Sequence, residues 1–251
     1  MDVSRLSFQL YSARSMASLD EQLALLAGLG YRKVEPFGGL FADLPALKRG
    51  LAQHGLAAPT THVGMDRLRA DAAAAFRMCR EIGVETVYAP APPPDERGGG
   101  DREWQAIGRE LAGFGKVARE EGVGFGWHNH HWEYGRAGDG RAYLEHMFDA
   151  APDILWEADL AWIVRGGADP VAQVKRHAGR IRTVHIKDIA PAGQCEDEDG
   201  WADVGHGTLD WTSLVPALKE AGVTLFVAEH DKPNDVARFA RRALESFRSW
   251  Q

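Results

Sequence analysis

The sequence has few of the features that would place it outside ordinary globular proteins. It contains two cysteines in 251 residues, so neither a disulfide framework nor a cysteine-based zinc site is indicated. No uninterrupted apolar run is long enough to cross a membrane, and the start, "MDVSRLSFQL", lacks the pattern of a signal peptide. The net charge of −7 gives no general reason to expect nucleic acid or a membrane as a partner. We therefore expect a cytoplasmic enzyme or binding protein.

Short β-type runs recur at intervals of roughly thirty residues, the length of one strand-plus-helix unit. These runs are 6–11, 32–37, 59–64, 85–90, 124–130, 154–160, 182–189 and 224–231. Helical patterns lie between them, such as "SLDEQLALLAGLG", which opens with a Ser-x-x-Glu capping box and closes on Gly. Strands alternating with helices imply a parallel sheet, and eight such units close into a barrel. We predict a single α/β domain, a (β/α)8 TIM barrel over residues 1–251, with a doubly wound open sheet as the alternative.

Polar residues concentrate near the ends of these runs, which in such a barrel form the catalytic rim. They are Gln9, Tyr11, Glu35, His62, His128, His130, Glu157, Asp159, His185, Lys187, Asp188 and Glu229. Side chains alternate faces along a strand, so residues two positions apart point into the barrel together. This pairs His128 with His130, Glu157 with Asp159, and His185 with Lys187. By the same rule His131 and His230 should face outward.

Each of these residues alone has an ordinary structural interpretation. Glu157 could pair with a buried histidine, and Lys187 could be the ion-pair partner of Glu157 or Glu229. The acidic run "CEDEDGWAD" is interpreted as a solvated loop face. The set as a whole is harder to explain, because burying so many ionisable groups without partners is very unfavourable. A divalent metal held by histidines and carboxylates would satisfy several of them at once.

Eight stretches in chain order carry a resemblance to a known family. They are "FQLYSAR", "LGYRKVEPFG", "TTHVG", "WHNHHWEY", "WEADLAWIVRGGADPV", "GRIRTVHIKD", "DVGHGTLDW" and "VAEHD". The ordered set is similar to the sugar phosphate isomerase/epimerase family of xylose-isomerase-like TIM barrels, over essentially the whole chain. Singly the motifs are weak, and together they specify the family better than the substrate.

The resemblance implies one divalent metal ion at the carboxyl ends of the strands, with Mn²⁺ expected first and Co²⁺, Zn²⁺ or Mg²⁺ as alternatives. In the tagatose-type epimerases the ligands are Glu, Asp, His and Glu on strands five to eight. Asp159, His185 and Glu229 match the last three. On strand five this chain has His128 instead of Glu, with His130 as the second-choice ligand or a substrate contact.

Two further positions depart from the epimerase pattern. Trp162 stands where the epimerases have a substrate-binding His, and His206 stands where Glu is expected. Together with His128, these departures put the two-carboxylate epimerase mechanism in doubt.

The activity that the resemblance implies is isomerisation or epimerisation of a keto sugar, through proton removal beside the carbonyl and a metal-stabilised enediolate. A dehydratase or β-eliminating lyase acting on a keto-inositol or a 3-keto-glycoside is the alternative, since inosose dehydratase is a relative with a similar strand five. An apurinic endonuclease shares the fold, but the acidic balance and the acidic seventh loop argue against DNA. A non-catalytic sugar-binding barrel is the last alternative.

The remaining roles follow from the same resemblance. Glu229 is the expected base, with Glu157, Glu35 or a histidine on the opposite side of the substrate. Lys187 and His62 would bind or protonate substrate oxygens, and Glu35 would orient His62. The expected substrate contacts are Gln9, Tyr11, His130 and Trp162. We expect a small carbohydrate as the only ligand besides the metal, and a homodimer as the assembly to test.

Overall fold

Eight parallel strands line the centre of the molecule in the computed structural model, which describes residues 1–250. The strands are β1 (Leu6–Gln9), β2 (Val34–Glu35), β3 (Thr60–His62), β4 (Thr86–Ala89), β5 (Gly124–His128), β6 (Leu155–Asp159), β7 (Ile181–Ile186) and β8 (Leu225–Ala228). The helices are α1 (Leu19–Leu29), α2 (Leu44–His54), α3 (Met65–Arg80), α4 (Asp101–Glu120), α5 (Tyr143–Ala150), α6 (Leu160–Arg165), α7 (Pro170–Arg176), α8 (Trp211–Glu220) and α9 (Val236–Ser249). The predicted TIM barrel is confirmed, and every strand lies within its predicted run except Ile181, which precedes the seventh.

The strands pair in the order in which they occur in the sequence. The first and last strands meet with Leu6 opposite Phe226, which brings the two ends of the chain's sheet together. Between β2 and β3 the ladder is reduced to two isolated parallel bridges, Lys33 with Ala57 and Phe37 with His62. The barrel is therefore nearly closed, and the open-sheet alternative is excluded.

Local sequence signals position the helices. The side chain of Ser18 accepts a hydrogen bond from the backbone N–H of Glu21 at the start of α1, and Gly30 ends that helix in the left-handed region, with a φ of 106°. Asp43 and Gly55 play the same two roles for α2. The Ser18 half of the predicted capping box and the terminal Gly30 of α1 are thus seen in the structure.

The predicted alternation places apolar side chains against the helices and polar ones inside. Trp156 packs against Phe148 of α5 at a ring separation of 5.6 Å. Its neighbour Glu157 is fully buried and bonds His62 across the barrel at 2.6 Å. Ionisable side chains thereby reach the interior at the carboxyl ends of the strands.

The acidic loop after β7 differs from its predicted solvated face. Glu198 and Asp203 are buried, and both are ion-paired to Arg238 of α9, at 2.7 and 2.8 Å. A two-stranded antiparallel ribbon, Asp188–Ile189 with Trp201–Ala202, shapes the same loop. The acidic residues therefore fasten this loop to the last helix. No helix among residues 1–250 is long and apolar enough to cross a membrane.

Candidate metal centre and active site

A cavity of about 420 Å³ opens at the carboxyl ends of the strands. Its main side chains are the aromatic rings of Tyr11, Phe37 and Trp132, the imidazoles of His62, His128 and His130, the carboxylates of Glu229 and Asp231, and the guanidinium of Arg97. This is the face where TIM-barrel enzymes carry their active sites.

Four predicted metal ligands converge at the inner end of this cavity. His128, Asp159, His185 and Glu229 each offer one ligand atom, and these atoms lie within 4.8 Å of one another. His185 Nδ1 is 3.1 Å from Glu229 Oε2 and 3.9 Å from Asp159 Oδ2. Two carboxylates and two imidazoles form a donor set suited to Zn²⁺, Mn²⁺ or Co²⁺. The assignment of these four as ligands stays a prediction.

A deeper layer of ionisable groups lies beneath these four. Glu157 Oε2 is 3.2 Å from His128 Nδ1 and 2.6 Å from His62 Nε2, and Glu35 Oε1 is 2.8 Å from His185 Nε2. Metal-bound histidines usually hold a carboxylate through their second ring nitrogen in this way. Glu35 and Glu157 thus fix the ring orientations of His185 and His128.

The deeper layer also contains a set that could hold an ion: His62, His128, Glu157 and His185, whose ligand atoms lie within 4.8 Å of one another. In that set, Glu157 Oε2 already accepts hydrogen bonds from two of the histidines. Two members of each set line the cavity: His62 and His128 of the deeper set, and His128 and Glu229 of the upper set. Glu229 gives the upper set a carboxylate in the cavity wall, whereas Glu157, the only carboxylate of the deeper set, does not line the cavity. The upper set is the better candidate, because a catalytic ion must reach the substrate.

Three buried carboxylate oxygens of the site lack a hydrogen bond within the part of the chain that the structure describes. Glu35 Oε2, Glu157 Oε1 and Asp159 Oδ2 are buried and accept no hydrogen bond from residues 1–250. Unpaired buried carboxylate oxygens are costly, so a cation or bound protons must compensate them. The residues present therefore fit a divalent metal ion.

The pKa shifts of three of the four candidate ligands agree with a bound divalent metal ion. Burial, reinforced by the nearby His185, lowers the pKa of His128 to about 3, which keeps the ring neutral as a ligand requires. Burial raises the pKa of Asp159 to about 6 despite the opposing charge of Lys187. For Glu229, burial raises the pKa, but Lys187 and His185 outweigh it and hold the pKa well below its ordinary value.

Lys187 is fully buried and surrounded by three carboxylates. Its Nζ lies 2.6 Å from Asp231, 2.8 Å from Glu229 and 3.4 Å from Asp159. Of the two ion-pair partners considered for Lys187 from the sequence, Glu229 is one in the structure. Glu157 forms no ion pair with Lys187 among residues 1–250. Lys187 does not line the cavity, and its ammonium neutralises Glu229 and Asp231; its contact with substrate oxygens stays a prediction.

Three other residues with predicted roles lie outside the cavity wall. Glu35 and Glu157 are fully buried and do not line the cavity, and the role of opposing base stays a prediction for both. Gln9 is fully buried, and its amide donates to Glu35 and accepts from the Tyr11 backbone N–H. Glu35 does lie 3.2 Å from His62, as its predicted orienting role requires.

The other predicted contacts lie at or beside the cavity. Tyr11 and His130 line it, and the His130 ring stacks on Trp132 at 4.6 Å. Trp162 lies one shell further out, 5.2 Å from His130 and 5.1 Å from Lys187. Trp127 is fully buried and donates to Glu133, so it belongs to the core.

Sequence reasoning missed two charged cavity residues and one supporting residue. Asp231 follows Glu229 by two positions, so alternation along the same run could have identified it. Arg97 lies in a loop, where no periodicity applies. Asn129 accepts hydrogen bonds from Trp156 Nε1 at 2.9 Å and from the backbone N–H of Asp159 at 3.0 Å. The amide between the two histidines therefore fixes β5 to the end of β6.

A family model described as xylose isomerase-like TIM barrel matches residues 23–250. The chain belongs to this family. The resemblance noted from the motifs is thereby confirmed, and the fold and the rim position of the site agree with it.

Individual relatives refine the comparison. Inosose dehydratase of Geobacillus kaustophilus is 26% identical over 193 residues, which cover 68% of this chain and 62% of that protein. The matched region spans less than two thirds of the length of this dehydratase, and the same holds for the rhizopine catabolism protein MocC of Rhizobium meliloti. A sugar phosphate isomerase/epimerase from Parabacteroides distasonis superposes with a TM-score of 0.80, at 19% identity over 97% of each chain. An IOLI protein whose structure holds a zinc atom superposes with a TM-score of 0.75, at 17% identity over 97% of this chain and 96% of that one.

Proposed function

We propose that this member of the xylose isomerase-like family is a divalent-metal-dependent enzyme that removes the proton beside the carbonyl of a keto sugar or keto polyol. The observation that carries the proposal is the buried set His128, Asp159, His185 and Glu229, which reaches the cavity through His128 and Glu229 and leaves Asp159 Oδ2 without a hydrogen bond. The IOLI structure, which shares this fold and holds a zinc atom, supports a metal ion in the proposal. When bound, the ion would supply Lewis-acid stabilisation to the oxygen on which negative charge develops.

Glu229 is the proposed base. It lines the cavity, is held by Lys187 and His185, and stays ionised because both neighbours favour its charge. Asp231, the other carboxylate that lines the cavity, follows the same strand and shares Lys187. In this proposal it carries a proton between the substrate and bulk water.

The facing wall of the cavity supplies imidazoles. His62, His128 and His130 line it, while Glu35 and Glu157 lie beneath them. The proposal therefore does not include a two-base epimerisation with a carboxylate on each face of the substrate. Isomerisation with one carboxylate base, or epimerisation with a histidine as the second group, remains within reach of these residues.

Dehydration of a keto polyol is the second candidate function. The same carbanion can expel a β-hydroxyl group, and one carboxylate base on one face suffices for that reaction. The curated relatives named inosose dehydratase favour this outcome. The two candidates share proton removal and differ in the fate of the electron pair.

Hydrogen exchange tests the shared step. The metal-loaded protein is incubated in D₂O with keto sugars and keto-inositols, and NMR follows deuterium at the carbon beside the carbonyl. We expect Glu229→Gln to reduce exchange by roughly 10²- to 10⁴-fold, because it removes the base and retains the shape. Glu220→Gln, at the end of α8, is the surface control and should exchange at the wild-type rate.

Product analysis in the same samples separates the two fates. Carbonyl migration or inversion identifies the isomerase/epimerase, and loss of one water identifies the dehydratase. Exchange that is unaffected by Glu229→Gln would remove Glu229 from the base role.

A further inference from the structure

Among residues 1–250, one arginine and no lysine lines the cavity. Its positive charge contrasts with the carboxylates at the inner end. Arg97 belongs to the segment 90–100 between β4 and α4, and the ionisable groups deeper in the cavity are histidines and the carboxylates Glu229 and Asp231. Lys187 cannot act as a second cation there, because it is fully buried and committed to three carboxylates. The cavity therefore has an acidic inner end and one positive group in its wall.

The guanidinium of Arg97 is held in place without an ion pair. Its Cζ lies 4.3 Å from the centre of the Trp132 ring, and its Nε donates to the Pro92 carbonyl oxygen at 3.1 Å. No carboxylate of residues 1–250 forms an ion pair with it, and its two terminal nitrogens donate no hydrogen bond within the chain. Glu133, beside Trp132, is buried and accepts from Trp127 and the His130 backbone. The two terminal nitrogens of the fork remain free for a ligand.

The backbone next to Arg97 is fastened from outside the cavity. Arg69 of α3 donates to both oxygens of Glu96, at 2.7 and 2.8 Å, and to both oxygens of Glu110 on α4, at 2.7 and 2.8 Å. One arginine thus ties the residue that precedes Arg97 to two helices. These bonds hold the backbone beside Arg97 in place, although three consecutive glycines follow it in the loop.

From these contacts we propose that Arg97 is an anion subsite which selects substrates that carry a carboxylate or a phosphate away from the reacting carbonyl. The inference rests on the proposed function, since it names the substrate class of the same site. A stacked guanidinium with two free parallel donors matches two oxygens of either anion, and such charge-assisted pairs are stronger than hydrogen bonds to neutral hydroxyls. Arg69 is a positioning residue for this subsite.

Three keto sugars that differ only at C6 provide the test: D-fructuronate with a carboxylate, D-fructose 6-phosphate with a phosphate, and D-fructose with a hydroxyl. Binding to the Mn²⁺-loaded protein is measured by calorimetry. We expect at least one of the two anions to bind about ten- to a hundredfold more tightly than fructose. Which anion is preferred distinguishes an acid sugar from a sugar phosphate as the natural class.

Arg97→Gln should abolish that preference and leave fructose binding unchanged. Arg102→Gln, an exposed residue at the start of α4, is the matched control and should retain the preference. Equal binding of the three sugars by the wild type, no measurable binding of any of them, or an equal loss for all three in Arg97→Gln would overturn the subsite.

The positioning role of Arg69 has its own measurement. Arg69→Gln should weaken binding of the preferred anion and leave fructose binding and the melting temperature close to wild type. Arg77 also lies on α3 and forms an ion pair with Glu121. Arg77→Gln should change neither the affinity for the anion nor the affinity for fructose. Loss of affinity for anion and fructose alike in Arg69→Gln would show a general structural role and contradict the positioning role.

Failure of the subsite and failure of the proposed function are distinguishable. Anion preference without hydrogen exchange in D₂O would retain the subsite and reject the enolising activity. Exchange on neutral keto sugars without anion preference would retain the activity and reject the subsite.

Discussion

His128 and His185 each engage a carboxylate of the deeper layer through one ring nitrogen. Glu157 holds Nδ1 of His128, which leaves Nε2 as its free nitrogen, and Glu35 holds Nε2 of His185, which leaves Nδ1 directed toward Glu229. The tautomer and tilt of both rings are thereby set before any ion arrives. Glu35 and Glu157 thus act on the site through the histidines.

Changing Glu157 tests this arrangement. Glu157→Gln keeps the shape but removes the charge that holds His128 and His62, so metal affinity should fall about 10- to 100-fold. The affinity is measured by competition with a fluorescent chelator. Glu145→Gln on α5, a buried carboxylate paired with Arg141 and Arg176, should leave it unchanged. An unaltered metal affinity in Glu157→Gln would show that Glu157 does not orient His128 for the ion.

Sequence reasoning could predict which face these residues occupy but could not predict their depth. Glu157 and Asp159 share a face, as alternation requires, yet two residues along a strand separate them by about 6.6 Å. That step places Glu157 in the layer below Asp159. Depth depends on how the eight strands are staggered around the barrel, which no single strand encodes.

At the scale of elements, single residues join two pairs of neighbouring elements, β5 with β6 and α4 with α5. Asn129 joins β5 to β6 through its side-chain amide. Gly108 allows α4 to approach α5: a Cβ at this position would overlap the Met147 carbonyl oxygen and lie 2.9 Å from Ala150 Cβ. Because α5 leads into β6, this close approach also supports the strand that carries Asp159.

Two glycines on the same helix provide a matched test of that approach. Gly108→Ala should lower the free energy of unfolding by about 1–3 kcal/mol through overpacking against α5. Gly113→Ala, with no atom within 4 Å of its new Cβ, should raise it by roughly 0.5–1 kcal/mol through helix propensity. Urea denaturation of both variants measures the difference, and equal effects would contradict the close α4–α5 contact.

Loops limit what can be predicted at this scale. Glu198 and Asp203 belong to an acidic run whose composition indicates a solvated face, yet both are buried against Arg238, which lies 35 or more residues further along the chain. Periodicity does not extend into loops, and such pairing depends on tertiary contacts. Arg97 was missed for the same reason.

For the whole molecule, the barrel was predictable because eight regular units leave few other ways to bury their strands. Its nearly closed ring brings Glu35, His62, Glu157, His185 and Glu229, which are spread over almost two hundred residues, to one end. Those residues concentrate negative charge inside the protein. A divalent ion bound by His128, Asp159, His185 and Glu229 would offset that charge. The folded barrel as a whole is therefore expected to bind the ion.

Metal content is therefore the measurement to make first, by mass spectrometry on protein purified without chelator or affinity metal. We predict about one divalent ion per chain in the wild type and its loss in Asp159→Ala, while the exposed control Asp153→Ala retains it. No ion in the wild type, and none taken up on addition of Mn²⁺, Co²⁺ or Zn²⁺, would contradict the metal-dependent mechanism.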